Sequence, residues 1–409
     1  MIDLATLHDE VAAEVARQAP RLASLARDLH LSPELGCGEF HAVTLLSGTL
    51  EEEGFHVETG IAGLPTAFRA ERRAGEGPAV AFLAEYDALP GMGHACGHNL
   101  IGAAACGAAI GLSRVLGAIP GRVLVFGAPA EETIGGKVVL ATRGAFDGID
   151  VALLAHPGSE DRAAVTSLAS WSVEVTFHGR SSHAVAAPEQ GINALDAMIQ
   201  LFIARDALLK GLRPEVRMPG VILEGGVRAN VVPDRARARF SLRAADSSYL
   251  AETVMARFRG VVDGVARATG TTARIQEIDN LYDEMVSNPV LAAAWEREAR
   301  RSGLEPRTGP GGTIGSLDMG TLSHLVPSLH PTFRITERPT PTHTPEFTRA
   351  ASTPRAIEAT GRAAIALART GLAVLTEPEL LDQARAAHRA AIGSWRRIDA
   401  PVITEQGGP

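Results

Sequence analysis

Cys96 and His98 stand one residue apart in a turn bordered by Pro and Gly, within residues 81–99, AFLAEYDALPGMGHACGHN. A thiolate and an imidazole so placed can face one centre, and they suit zinc or another late first-row divalent ion better than magnesium or calcium. Glu131 and Glu132 directly follow an apolar run. Adjacent buried carboxylates repel, and a cation resolves the conflict. One of the two can then ligate while the other acts as a general base toward metal-activated water. An acidic helix start would explain a single Glu there, and two at a strand end poorly. His156 closes a further apolar run just before Pro157-Gly158, and His343 lies in a Pro-Thr-His-Thr-Pro loop. Taken alone, His343 reads as a solvated histidine near a helix start. His94 and His178 read as structural.

The elements that position these residues follow from hydrophobic periodicity. Residues 79–84, 122–128 and 150–155 are continuous apolar runs, the pattern of strands buried on both faces. Helical spacing over 100–116 and 138–143 separates them. Strand, helix, strand, helix, strand predicts an α/β domain, a mostly parallel sheet with helices on both faces. Ligands bind beyond the carboxyl ends of such strands. Glu85, Asp87, Cys96, His98, Glu131, Glu132 and His156 all fall there. Residues 4–29 and 39–53 add amphipathic helices, and 56–58 and 67–70 add short strands.

From residue 171 the pattern alternates, as a half-exposed strand should. Strand 171–178, helix 191–212, strands 216–223 and 235–242, helix 247–269 and strand 272–277 give the β-α-β-β-α-β order of a ferredoxin-like α+β domain. The expected division is a catalytic domain over 1–168, an inserted lid over 169–280, and a return to the catalytic domain over 281–409. His183, in GRSSHA, and Asn230, in GGVRANVVPD, belong to the lid and read as ordinary loop residues. They reach a site only if the lid closes or a neighbouring subunit supplies them. The Gly-rich stretch 308–316 lacks the Lys-Ser/Thr ending of a phosphate loop, and no Gly-x-Ser-x-Gly elbow follows a strand.

At 409 residues, 45% hydrophobic and 21% charged, the chain has the composition of a globular protein of two domains. A net charge of −8 argues against nucleic acid or an anionic membrane as the partner. No apolar run reads as reaching the roughly 18–20 residues of a bilayer span, and the start lacks the basic and apolar regions of a signal peptide. Cys37, Cys96 and Cys106 cannot form a disulfide framework, so the expected location is the cytoplasm, where a thiolate ligand persists.

With these residues in view, the chain resembles the aminoacylase and amino-acid-conjugate amidohydrolases, two-metal peptidases with a separate dimerisation lid. AEYDALPGMGHACGHN, APAEETIGGK, LLAHPG, VTFHGRSSHAVAAPEQGINALDA, EGGVRANVVPD, GSLDMGTLSHLVPSLHP and HTPEF carry the likeness, in order, over roughly residues 20–370. The similarity is greatest to the aminobenzoyl-glutamate hydrolases and the dipeptidases that cleave β-alanyl or similar dipeptides. The resemblance implies that Cys96, His98, Glu132, His156 and His343 ligate two divalent ions per subunit, zinc foremost, with manganese or cobalt as alternatives. It makes Glu131 the general base and Asp87 the carboxylate that supports the ligands. His183, from the partner subunit, would polarise the scissile carbonyl, and Asn230 would help hold the substrate's carboxylate. The implied substrate is a small N-acyl amino acid, dipeptide or aromatic amide conjugate, and the implied assembly a homodimer through the lid. The chain departs from the pattern at Glu85, where many relatives carry a metal-binding His, and at Asn99, where many carry Asp. A second reading, a silent metal-binding relative, is opposed by the retention of Glu131.

Overall fold

The computed structural model describes residues 3–307, 315–393 and 395–405. Most of the Gly-rich stretch 308–316 lies outside the described residues. Helices α1 (Leu4–Leu31) and α2 (Phe40–Glu52) open the chain, followed by strands β1 (His56–Thr59), β2 (Phe68–Ala74) and β3 (Ala79–Ala84). Helix α3 (His98–Ser113), β4 (Gly121–Gly127), α4 (Gly136–Thr142), β5 (Val151–Leu153) and β6 (His156–Gly158) complete the first stretch. The sheet order is β1-β2-β4-β3-β5-β11, where β11 is Ser328–Leu329. The four strands β4, β3, β5 and β11 are parallel, and β1 and β2 are the antiparallel edge. A mostly parallel sheet covered by helices is thus the architecture of the first domain.

The strand expected over 150–155 is split. β5 stays in the main sheet, and the chain then leaves it so that β6 pairs in parallel with β12 (Thr332–Arg334). Backbone bonds from Leu154 N to Leu329 O and from His156 N to Pro331 O carry the chain across. His156 therefore heads a separate two-stranded ribbon beyond the sheet's carboxyl edge.

The lid is a four-stranded antiparallel sheet in the order β10-β7-β9-β8. Its strands are β7 (Ala169–His178), β8 (Gly220–Glu224), β9 (Arg235–Ala244) and β10 (Thr272–Glu277), with helix α5 (Ala194–Leu209) after β7. The second lid helix starts as a turn, α6 (Ser247–Tyr249), passes through a π segment at Leu250–Met255, and continues as α7 (Ala256–Thr269). β8 begins later than its apolar pattern suggests, because Pro219 has no N–H to give the ladder. Met198, Leu201, Phe240 and Phe258 fill the lid's own core.

Helices α8 (Pro289–Arg301), α9 (Met319–Leu325), α10 (Pro345–Ala350), α11 (Pro354–Thr376) and α12 (Pro378–Ile392) complete the catalytic domain. One large core joins α1, α3, α11 and the sheet, and a second lies under α4 and α9. Small residues let α1 approach α3: a Cβ on Gly107 would stand 2.6 Å from Leu22 Cδ1, and one on Gly111 2.5 Å from Val15 Cγ2. The expectation about membrane spans is corrected here. Residues His98–Gly117 are long and apolar enough to cross a bilayer, but 89% of that stretch is buried inside the protein, as befits a core helix.

Candidate metal centre

Three strand ends and one distant loop converge. Past β3 the chain turns through Asp87 to Gly97, whose φ of +79° suits glycine, and whose Cβ, if present, would stand 2.5 Å from Pro157 Cγ. His98 opens α3 and is 1% exposed. Its Nδ1 lies 2.9 Å from Asp87 Oδ1 and 3.0 Å from the Asp87 carbonyl oxygen. A carbonyl only accepts, so Nδ1 is the protonated nitrogen and the Nε2 lone pair is free. The other Asp87 oxygen accepts from Glu132 N at 2.9 Å, so one carboxylate fixes two candidates. His156 follows the same logic: Nδ1 donates to Pro157 O at 2.7 Å, and Nε2 faces Cys96 Sγ at 3.5 Å. His343 is brought in by its backbone N, which donates to Ala95 O at 2.9 Å.

Two residues here hold strained backbones. Ala130, just before Glu131, has φ +60°, and His343 has φ +61°. Such left-handed positions cost about 1–3 kcal/mol for residues other than glycine and persist where surrounding contacts impose them. For Ala130 the contact is Glu39, whose Oε1 accepts from Ala130 N at 2.8 Å while Oε2 accepts from Thr66 Oγ1 at 2.8 Å.

The donor atoms of Cys96, His98 and His156 lie within 4.8 Å of one another, and so do those of Cys96, Glu132 and His343 and those of His98, Glu131 and Glu132. The first two groups share Cys96. His98 Nε2 and Glu132 Oε1 are buried with no hydrogen bond, although His343 Nε2 stands 3.3 Å from Glu132 Oε1 and Glu85 Oε2 3.4 Å from His98 Nε2. Buried polar atoms without partners are costly, and divalent cations fit this set of sulfur, nitrogen and carboxylate donors. The electrostatics agree. Desolvation, then the Glu132, Asp318 and Glu85 carboxylates, hold Glu131 well above the usual carboxylate range. Desolvation opposes ionisation of Glu132 too, but His343 and His98 together pull it below that range. Desolvation also pushes the Cys96 thiol up, though the residue keeps some exposure to the cavity. A cation among these donors would favour the thiolate and both carboxylates.

Other contributors carry no local signature. Glu85 forms a buried ion pair with Lys137, whose Nζ lies 2.6 Å from Glu85 Oε1 and 2.6 Å from Asp318 Oδ1. Asp318 Oδ2 also accepts from Lys137 N. Lys137 is one of only two lysines among 39 basic residues, a signal that this position wants a compact charge where arginine serves elsewhere. Asn99 is structural: its Nδ2 donates to Ala26 O and Ala351 O, tying α1 and the end of α10 to α3. His94 is also structural, with Nε2 donating to Leu29 O at 3.0 Å.

A cavity of about 570 Å³ opens from the centre toward the lid, lined by Cys96, Glu131, Glu132, His156 and His343 on one side and by Ser172, Arg243 and Asp279 on the other. His183 and Asn230 do not line it. They lie together on the lid surface, where Ala184 N donates to Asn230 O at 3.1 Å and His183 bridges to Val231.

Fold and centre together define a metal-dependent hydrolase of amide bonds, built as a peptidase with a lid. Residues 167–269 match the family model of the peptidase dimerisation domain. Over 399 residues the chain is 36% identical to Xaa-Arg dipeptidase from Mus musculus, covering 94% of this chain and 92% of that one. It is 32% identical over 308 residues to a p-aminobenzoyl-glutamate hydrolase chain from Escherichia coli K12, covering 69% of this chain and 62% of that one. Among solved structures, the Bacillus subtilis YXEP protein, described as a dinuclear metal binding peptidase from the M20 family, aligns with a TM-score of 0.61 at 22% identity, covering 86% of this chain and 98% of that one. The chain belongs to the M20 family of metallopeptidases.

Proposed function

We propose that the protein is a dipeptidase or closely related amidohydrolase that splits the amide bond of a small N-acyl amino acid and releases the C-terminal amino acid. The observation that carries this reading is the pair of donor groups sharing Cys96, with Glu131 close to His98 and Glu132 in the cavity lining. The 36% identity to Xaa-Arg dipeptidase supports a dipeptide over an aromatic amide conjugate.

Cys96, His98, Glu132, His156 and His343 would hold two divalent ions, zinc matching the donors best and manganese or cobalt serving as alternatives. The chemistry such ions supply is polarisation of the scissile carbonyl and a lowered pKa for the attacking water. Glu131, which a bound cation would keep ionised, would take the proton of the attacking water and return it to the leaving amine. His183 is prepared as a donor: Val185 N and Ala186 N both donate to its Nδ1, so Nε2 carries the proton and can give a hydrogen bond to the developing oxyanion. Asn230 and Arg243 take the substrate's carboxylate. Arg243 has no carboxylate within ion-pair distance among the described residues, and its Nε reaches only Ser241 Oγ at 3.3 Å.

His183 and Asn230 complete the site from a second copy. The lid edge strand β8 exposes Val221, Ile222 and Leu223, and the loop after it exposes Val227 and Val231. An unpaired apolar edge invites strand pairing, and a homodimer would cover it. The test is a panel of dipeptides and N-acyl amino acids offered to protein loaded with Zn²⁺, Mn²⁺ or Co²⁺. Release of the free amino acid is the expected result. No turnover from protein shown to hold metal would overturn the reading.

A further inference from the structure

The cavity wall opposite the metal centre carries one cation and one anion that do not neutralise each other. Among the described residues, Arg243, on β9, makes no ion pair, and neither does Asp279, which follows β10. Asp279 accepts hydrogen bonds from Ser172, its Oδ1 from Ser172 N at 2.7 Å, and no lysine or arginine pairs with it within ion-pair distance among the described residues. The other acid away from the centre, Glu160, is satisfied: it pairs with Arg162 and, at 2.9 Å, with Arg307. Asp279 is thus the carboxylate of the lining away from the centre that no cation pairs with among the described residues. Desolvation raises its pKa, which the hydrogen bonds from Ser172 and then the charge of Arg243 only partly offset, and a further cation would relieve it.

A wall with a free guanidinium and a free carboxylate complements a ligand bearing both opposite charges. Resting on the reading that a C-terminal amino acid is released, we infer that Asp279 is the specificity-determining residue, receiving a cationic side chain of that amino acid while Arg243 holds its carboxylate. The preferred substrates then end in arginine or lysine. A mostly buried carboxylate discriminates well, because a neutral side chain leaves it desolvated and unpaired.

The test uses the full-length, metal-loaded protein and the variant Asp279→Asn, whose amide oxygen can still accept from Ser172 N. Titration calorimetry compares L-arginine with L-norleucine, which lacks only the cationic end. The native protein should prefer arginine by about tenfold or more, the scale of a charge-assisted hydrogen bond, and Asp279→Asn should bring the two within about twofold. The kcat/KM ratio for alanyl-arginine over alanyl-norleucine should fall in parallel, mainly through KM. Glu160→Gln, elsewhere in the cavity lining, should keep the arginine preference. Equal binding of both amino acids by the native protein, a preference that survives in Asp279→Asn, or one lost equally in Glu160→Gln would overturn the inference. Hydrolysis of alanyl-norleucine without any arginine preference would leave the proposed activity standing. An arginine preference that follows Asp279 without dipeptide hydrolysis would sink the activity instead.

Discussion

Lys137 Nζ lies 2.6 Å from Glu85 Oε1, with both side chains sealed from solvent behind the metal centre. The same ammonium binds Asp318 Oδ1 at 2.6 Å, while the second Glu85 oxygen stands 3.4 Å from His98 Nε2. Lys137 therefore neutralises two buried carboxylates and fixes how close one of them comes to a candidate ligand. Removing it leaves both uncompensated. Lys137→Met should cost about 3–5 kcal/mol of stability, the range for breaking a buried ion pair from one side. Denaturant unfolding measures this, and a loss below about 1 kcal/mol would mean that Glu85 and Asp318 can share a proton at little cost.

Asp87 should act on metal affinity. It accepts from His98 Nδ1 with one oxygen and from Glu132 N with the other, so it orients two of the five candidate ligands. Asp87→Ala should weaken metal binding by about 10–100-fold, as loss of such outer partners does elsewhere. Competition against a chromophoric chelator reads the change. Native affinity in the variant would show that the fold alone positions His98.

Glu39 links the Glu131–Glu132 turn to pH. Burial, then the Asp87 carboxylate, raises its pKa to about 7 from an ordinary value near 4.5. A raised folded-state pKa means that the native state favours the protonated form. The associated stability is complete below about pH 4.5 and is lost as pH rises through about 7. Glu39→Gln mimics the protonated form and should gain on the native chain over that window, by at most about 3 kcal/mol. Guanidinium unfolding at pH 5 and pH 8 tests this. A stability difference independent of pH would show that Glu39 titrates normally in the fold.

The parts of this account that were legible in the sequence are those with local signatures. The run AVAFLA at 79–84 is β3 to the residue, because a strand buried on both faces shows as unbroken apolar sequence. Cys96, His98, Glu131, Glu132 and His156 stood out because they fall just past such runs, where the parallel sheet brings them together. Glu39, Lys137, Asp318 and Arg243 were missed because their meaning is not local. Lys137 and Asp318 are 181 positions apart, and nothing in either neighbourhood announces the other. The split of the third strand was hidden for a related reason: β6 is defined by pairing with β12, far along the chain. His183 and Asn230 lie off the cavity, on the lid surface, and their place relative to the centre is not something periodicity encodes.

The central claim is that Glu131 moves the proton while Glu132 helps hold the metal, and Glu131→Ala separates the two roles. Turnover of the substrate dipeptide should fall by about 10²–10⁴-fold, the share a general base supplies, with metal content per subunit unchanged in elemental analysis. Loss of metal together with activity, or activity that survives, would contradict the account.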